Sequence, residues 1–185
     1  MISRCSWANP KNELYIVYHD NEWGIAKHDD NELFEMLILE GAQAGLSWET
    51  VLNKRENYRK AFDGFDPNIV AKYSEDKVAE LLANAGIIRN KLKINSAIRN
   101  AKIFLEIQQE FGSFDKYIWA FVDNKVIVNN YDSIAEMPAT TSISDTISKD
   151  LKKRGMNFVG STIMYAFMQS VGMVDDHDTI CFKRK

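Results

Sequence analysis

The chain has 185 residues, 45% of them hydrophobic and 11% aromatic, which is enough to bury a full core in one domain or two small lobes. Its formal net charge of −3 excludes a protein that binds nucleic acid through overall positive charge. No apolar run is long enough to span a bilayer, and the segment from Met1 to Trp7 lacks the apolar region of a signal peptide. We therefore expect a soluble, cytoplasmic protein with no membrane partner.

Helical periodicity dominates the chain, because nine Gly and three Pro leave few positions that break a helix. The pattern predicts an all-α protein with one short strand at 125–129. The predicted helices begin at capping residues or at Pro67, and they cover 31–42, 47–62, a short stretch from 67, 74–83, 89–111, 113–121, 144–155 and 160–172.

Charge is unevenly distributed along the chain. Residues 13–40 carry eight acids and one base, Lys27. Residues 81–105 carry no acid and five bases, namely Arg89, Lys91, Lys93, Arg99 and Lys102. Such a run is most often a solvated face, but a basic stripe on an acidic protein is also what a phosphate backbone requires.

Cysteine and histidine are concentrated near the chain ends, at Cys5, His19, His177 and Cys181. Zinc is commonly held by four such N and S ligands in a tetrahedron. The spacing His177-x3-Cys181 would place both side chains on one side of a helical turn. A site with four protein ligands has no open position, so this zinc would be structural.

Other interpretations of these residues remain open. Two cysteines could be buried and the histidines unrelated, as is usual for such residues taken singly. A disulfide between Cys5 and Cys181 is disfavoured in a reducing cytosol. A catalytic zinc hydrolase is a third alternative.

Glu40 is the first candidate for chemistry. On the predicted helix 31–42 it shares a face with Leu33 and Met36, whereas Glu35 lies near the opposite side. A carboxylate on an apolar face must find a partner, shift its pKa or bind a ligand. The alternative is that the helix ends by Gly41 and that Glu40 points to solvent.

Aromatic residues cluster in sequence around Glu40, at Trp7, Tyr15, Tyr18, Trp23 and Trp48. Aromatic clusters are most often core. However, a tight turn after the Glu40 helix would bring Trp48 back over the carboxylate. Flat rings beside one buried carboxylate favour a pocket for a planar, electron-poor or cationic ring.

The second candidate is the turn around Gly86, between two predicted helices. A turn of this kind can offer backbone N–H groups to a phosphate, reinforced by the N-terminus of the next helix. Arg89, Lys91 and Lys93 follow at once, where a DNA backbone would pass.

Taken together, these motifs resemble those of the type I 3-methyladenine DNA glycosylases of the helix–hairpin–helix superfamily. The resemblance covers nearly the whole chain. It rests on Arg4-Cys5-x-Trp7, residues 18–24, Leu39-Glu40-Gly41, residues 43–48, 54–58, 85–89 and 148–155, Phe158-Val159-Gly160 and His177-x3-Cys181.

The resemblance implies a helix–hairpin–helix glycosylase fold with a lobe closed by structural zinc. That lobe would comprise 1–46 and 119–185 of a single glycosylase domain, with 47–118 as the helix–hairpin–helix lobe. The implied zinc ligands are Cys5, His19, His177 and Cys181, and no redox or nucleotide cofactor is expected. The implied base pocket consists of Glu40, Tyr18 and Trp48, with Trp7, Tyr15 and Trp23 close by.

The implied activity is release of 3-methyladenine from double-stranded alkylated DNA, after the base has been flipped out of the duplex. Gly86, Arg89 and Lys91 would hold the DNA backbone, and Leu46 would fill the gap left by the base. No lysine is placed to form a Schiff base, so we expect a monofunctional hydrolase without lyase activity. No obvious partner helix is left over, and we therefore expect a monomer. A non-catalytic helix–hairpin–helix DNA-binding module is the alternative from another class.

Overall fold

The computed structural model describes residues 2–184 and is mostly helical, as the sequence predicts. The α-helices are α1 Glu13–Asn21, α2 Asp30–Ala42, α3 Trp48–Leu52, α4 Arg55–Ala61, α5 Pro67–Val70, α6 Glu75–Ala83, α7 Lys91–Phe111, α8 Phe114–Trp119, α9 Ser142–Arg154 and α10 Ser161–Ser170. The strands are β1 Ile127–Val128 and β2 Val174–Asp175, and short 3-10 helices cover Asp63–Phe65, Ala120–Val122 and Ile134–Glu136.

Helix α2 forms the centre of the molecule. Asp29 caps its N-terminus by accepting from the amides of Asn31 and Glu32. Every residue from Leu33 to Ala42 is buried, since α10, α7 and α8 all pack against this helix. The carboxylates on α2 are therefore held inside the protein, which makes their partners decisive.

Most helix starts follow the predicted caps. At the starts of α3, α6 and α8, one serine side chain accepts a hydrogen bond from a backbone N–H of the helix. These serines are Ser47, Ser74 and Ser113, respectively. Pro67 is the first residue of α5. The long helix α7 begins at Lys91 rather than 89, because Asn90 accepts from the amide of Lys93.

The predicted continuous helix 47–62 is wrong, since α3 ends at Leu52 and α4 begins at Arg55. The break lets Arg55 turn inward to the buried carboxylate of Glu35, 2.6 Å away. Helix α1 was not predicted. Its apolar residues Leu14 and Val17 are exposed while His19 is buried, so its sequence lacks the apolar periodicity on which the prediction relied.

The short strand predicted at 125–129 is confirmed as β1, but its partner β2 was not predicted. The two strands pair in parallel, with Ile127 opposite Val174. The helical turn predicted for His177 and Cys181 is wrong, because the chain leaves β2 as an irregular loop. Asp176 and Asp178, which follow β2, accept hydrogen bonds from the distant Asn129 side chain and Ser6 backbone amide rather than supporting a local helix.

Within residues 2–184, no helix combines the length and the apolar character needed to cross a membrane.

Candidate active site and metal centre

Glu40 lies in the last turn of α2 and is only 4% exposed. Burial raises its pKa to about 8, and a hydrogen bond from the Ser170 hydroxyl opposes part of this shift. No basic side chain in residues 2–184 forms an ion pair with it. The alternative that Glu40 points to solvent is therefore excluded.

Glu40 faces a cavity of about 300 Å³. The cavity is lined by Trp7, Tyr15, Tyr18, Trp23, Glu40, Gln43, Trp48, Ile134, Met137, Pro138, Ala139, Thr162, Tyr165, Ala166 and Gln169. The structure thus brings together Glu40 and all five aromatic residues predicted for the pocket. The volume is at the lower end of the range for small-molecule sites, which suits one purine-sized ring.

The aromatic rings contact one another around the cavity. The ring centroids of Tyr18 and Trp48 are 5.3 Å apart, and those of Trp7 and Trp23 are 4.7 Å apart. Tyr15 lies 5.4 Å from Trp7. These distances fit edge-to-face and tilted aromatic packing, so the rings of the wall support one another.

Two indole N–H groups on these walls have no acceptor among the residues that the structure describes. The Nε1 atoms of Trp7 and Trp48 are buried and find no hydrogen-bond partner within residues 2–184. Burying such a donor without a partner costs free energy in a finished core. Their position around a cavity with a carboxylate indicates a surface arranged for a ligand.

The wall from the C-terminal half of the chain was not predicted. It consists of the segment 134–139 and one face of α10. On α10, Thr162, Tyr165, Ala166 and Gln169 recur at helical spacing on the cavity face of an otherwise apolar helix. The polar residues among them, Thr162, Tyr165 and Gln169, are the feature of the sequence that could have predicted this wall. Gln43, one turn after Glu40, carries the same signal.

The loop between α2 and α3 presents Leu46, whose side chain is 42% exposed. It borders a smaller cleft of about 190 Å³ that also touches Glu40, Gln43 and Thr162. Gly45 precedes it with φ +76°, a conformation that other residues rarely adopt. Leu46 therefore projects from a tight turn beside the opening of the main cavity.

Lys93 anchors this loop instead of pointing along the basic stripe. Its Nζ donates to the carbonyls of Ala42 and Ala44, at 2.7 Å each. A cation at the C-terminus of α2 offsets the negative end of the helix dipole. Arg99 is also used internally, because its Nε donates to the carbonyl of Gly155.

Loop 84–90 joins α6 to α7 and contains Gly86. The amide of Gly86 donates to Asn84 Oδ1 at 2.8 Å, and a Cβ at this position would approach Asn57 to within 3.1 Å. Gly86 thus shapes the loop and its packing. Arg89 and Lys91 are exposed at the start of α7, where their charges are open to a phosphate backbone.

The side chains of Cys5, His19, His177 and Cys181 converge into one buried cluster. One ligand atom from each lies within 4.8 Å of the others, so the group could hold a metal ion. Both cysteines carry free thiols rather than a disulfide. Burial and the neighbouring Cys181 thiol raise the pKa of Cys5, so the thiolate form needs a cation in the cluster.

Carboxylates orient both imidazoles of this cluster. His19 Nδ1 lies 2.7 Å from Asp20, and His177 Nδ1 lies 2.6 Å from Asp175. The Nε2 atom of His177 is buried and has no hydrogen-bond partner in the described part of the chain. Carboxylate–histidine pairs of this kind fix the tautomer that leaves Nε2 for a metal.

A second set of bonds ties the chain ends around the cluster. Arg4 binds Asp20 through two nitrogens, and this ion pair lowers the pKa of Asp20 to about 2. The amide of Asp178 donates to Cys5 Sγ at 3.4 Å. The cluster thus closes the N-terminal segment onto the C-terminal one.

The cluster and the cavity share a wall. The ring of Trp23 lies 4.8 Å from that of His177, and the ring of Trp7 lies 5.2 Å from that of His19. Gly24 permits this packing, because a Cβ there would lie 2.8 Å from His177 Cε1. The Cys and His cluster therefore packs against two of the cavity tryptophans, Trp7 and Trp23.

A central helix, an aromatic cavity and a buried carboxylate thus meet in one place. The family model for methyladenine glycosylases matches residues 7–184. The chain belongs to the methyladenine glycosylase family, whose members are hydrolases acting on N-glycosyl bonds.

Characterised relatives are similar over their full lengths. The chain is 49% identical to DNA-3-methyladenine glycosylase 1 of Escherichia coli (strain K12), over 97% of this chain and 96% of the relative. A crystal structure of 3-methyladenine DNA glycosylase I superimposes with a TM-score of 0.96 at 49% identity, covering 99% of this chain and all of that one. The Staphylococcus aureus enzyme, described for its 3-methyladenine recognition, gives a TM-score of 0.94 at 32% identity, covering 98% and 96%.

Proposed function

We propose that this protein releases 3-methyladenine from alkylated double-stranded DNA by hydrolysing its N-glycosidic bond. The observation that carries the proposal is the Glu40 carboxylate, which is buried in a cavity lined by Tyr18 and Trp48 and has no basic partner within residues 2–184. Relatives at 46–49% identity bear the name of this activity.

The chemistry of the lesion explains the use of these residues. Methylation at N3 makes adenine in DNA cationic, so the base departs as a neutral molecule and needs little acid catalysis. Glu40 would accept hydrogen bonds from the base edge and attract its positive charge. Stacking on Tyr18 and Trp48 adds cation–π attraction of about 1–2 kcal/mol when desolvated. Normal adenine is neutral and gains neither interaction with charge, which supplies the selectivity.

The base must leave the helix to reach Glu40. Flipping costs a few kcal/mol and least for a damaged base. Leu46, exposed beside the cavity opening, would fill the gap in the duplex. The exposed Arg89 and Lys91, on a helix–hairpin–helix element formed by α6, loop 84–90 and α7, would hold the phosphate backbone.

We further propose a monofunctional reaction without a lyase step. The described lining of the cavity offers a carboxylate, hydroxyls and amides rather than the amine that a Schiff base requires. The protein would act as a monomer, with 1–46 and 119–185 forming one lobe and 47–118 the other.

We also propose that Cys5, His19, His177 and Cys181 hold a structural zinc ion. Two thiols and two oriented imidazoles are the donor set that Zn²⁺ prefers, and four protein ligands leave no open position for water. When bound, the metal would fix the chain ends and, through them, the wall that carries Trp7 and Trp23.

The test is release of 3-methyladenine from methylated double-stranded DNA, followed by chromatography of the freed bases. We expect 3-methyladenine among the products and no strand cleavage. DNA binding without base release would refute the glycosylase and favour a non-catalytic DNA-binding module. Loss of activity in chelated protein that is still folded would instead favour a catalytic metal.

A further inference from the structure

Behind the wall formed by α10, one buried carboxyl group receives three hydrogen bonds. Asp176 is 1% exposed and follows β2 directly. Its Oδ2 accepts from the hydroxyl of Tyr165 at 2.5 Å and from Nε2 of Gln169 at 2.8 Å. Its Oδ1 accepts from Nδ2 of Asn129 at 2.7 Å. Two of the three donors, Tyr165 and Gln169, line the cavity.

This network fixes which end of the Gln169 amide is available to a ligand. A carboxylate accepts hydrogen bonds and does not donate them, so Gln169 must turn its NH₂ group toward Asp176. Its Oε1 is then the remaining polar atom, and no donor within residues 2–184 binds it. Because Gln169 lines the cavity, its Oε1 is the hydrogen-bond acceptor that this side chain can offer to a ligand there.

We propose that Gln169 is a further base-binding residue, whose Oε1 accepts from an amino group on the flipped purine, and that Asp176 is its positioning residue. This inference rests on the proposed function, because it assigns a partner to the base in the same cavity. Free neutral 3-methyladenine carries N–H donors only on its amino group, so the acceptor recognises adenine-type bases.

The location of Asp176 also makes it a link to the chain ends. It lies between Asp175, which orients His177, and His177 itself. Parallel strand pairing holds this segment, since the backbone N–H of Asn129 donates to the backbone carbonyl of Asp175 at 3.0 Å. Asp176 is thus held on a segment fixed at both ends, as a positioning group requires.

The test compares binding of free 3-methyladenine with that of 3-methylpurine, the same ring without the amino group, by quenching of tryptophan fluorescence. We expect Gln169→Met to weaken 3-methyladenine binding about 3- to 10-fold, the size of one lost hydrogen bond, and to leave 3-methylpurine binding nearly unchanged. Equal losses for both rings would show that Gln169 only packs, and would overturn the assignment.

Asp176→Asn should raise KM for methylated DNA more than it lowers kcat, because the Gln169 amide can then turn around. The double variant Asp176→Asn with Gln169→Met should bind 3-methyladenine no more weakly than Gln169→Met alone. Additive losses would show that Asp176 does not act through Gln169. If Asp176→Asn fails to fold, Asp176→Glu is measured by the same criteria.

A matched pair lies away from the cavity. Asp150 accepts from the hydroxyl of Tyr117 at 2.7 Å, and neither residue lines the cavity. Asp150→Asn should lower the melting temperature and leave 3-methyladenine binding unchanged.

The metal content of all variants is measured in parallel. If the wild-type protein neither binds nor releases 3-methyladenine, the proposed function fails; if it does and both variants match it, only this inference fails.

Discussion

The cluster of Cys5, His19, His177 and Cys181 and the cavity are neighbours, yet their polar atoms differ in how they are hydrogen-bonded. In the cluster, Asp20 and Asp175 orient both imidazoles and an amide supports Cys5. In the cavity, Glu40 has no cationic partner within residues 2–184, and two indole N–H groups have no acceptor. Oriented side chains around one point fit the proposed structural metal site, whereas unpaired groups around a space fit the proposed recognition of a ligand.

Helix α2 contains the same contrast in two glutamates. Glu35 is buried but bound by Arg55 at 2.6 Å and by Arg59 at 3.0 Å. Glu40, five residues later, is buried in an environment that raises its pKa to about 8. Burial alone therefore does not distinguish a functional carboxylate from a structural one. The distinction depends on whether a basic side chain pairs with it.

The largest expected effect is on the cluster. His177→Ala should abolish stoichiometric metal binding and destabilise the protein by about 3–5 kcal/mol, since a buried cluster loses a ligand. For a chain of this length, the melting temperature would fall by on the order of 10 °C. Metal analysis and calorimetry measure both effects.

The control is His28→Ala, which removes the third histidine. His28 is exposed and bonds only to Asp115 among the described residues, so its loss should change the melting temperature little. Equal destabilisation by the two variants would contradict the distinction between the cluster and other polar sites.

Next in size is the effect of Glu40→Gln on catalysis. Removing the charge should lower kcat/KM for 3-methyladenine release about 100-fold, or about 2.7 kcal/mol, without lowering stability at neutral pH. The matched variant Glu35→Gln should do the reverse, costing about 2–3 kcal/mol of stability because Arg55 loses a buried partner. Unchanged excision by Glu40→Gln would show that the charge of this carboxylate has no role in releasing the base.

The pH dependence sharpens the same comparison. The folded-state pKa of Glu40 is about 8, above its ordinary value, so folding favours the protonated form. Its contribution to stability is full below pH 4.5 and is lost as the pH rises through 8. Wild-type protein should therefore lose stability relative to Glu40→Gln between these values in denaturant titrations. Parallel curves for the two proteins would contradict the shifted pKa.

Affinity for a cationic base should change with pH in the opposite direction to stability. The carboxylate form that attracts the base becomes populated as the pH rises toward 8, so affinity for alkylated DNA should increase over that range. The increase should be absent in Glu40→Gln.

The smallest effects are expected on the exposed basic residues. Arg89→Ala and Lys91→Ala should each weaken binding to all DNA sequences alike and reduce the slope of log K against log salt by about one. Fluorescence anisotropy at several salt concentrations measures this. A loss that depended on sequence would be evidence against phosphate contacts.

Much of this organisation was readable from the sequence. Apolar periodicity and caps such as Ser47 and Ser74 predict the helices, because these signals are local. The Glu40 face of α2 and the aromatic residues before Trp48 predict the cavity, since flat rings and an unpartnered acid have few other uses together. The cysteines and histidines near the chain ends suggest the cluster as one of several interpretations, and the family resemblance favours it.

Tertiary structure decided what depends on distant partners. Lys93 belongs to the basic stripe in sequence, yet it caps α2 because two carbonyls converge on its Nζ. His177 and Cys181 reach the cluster through a loop set by the pairing of β1 with β2, a contact that spans almost fifty residues. The sequence shows which side chains could take part in chemistry. Only the fold determines which of them already have hydrogen-bond or ion-pair partners, because those partners lie far apart in the chain.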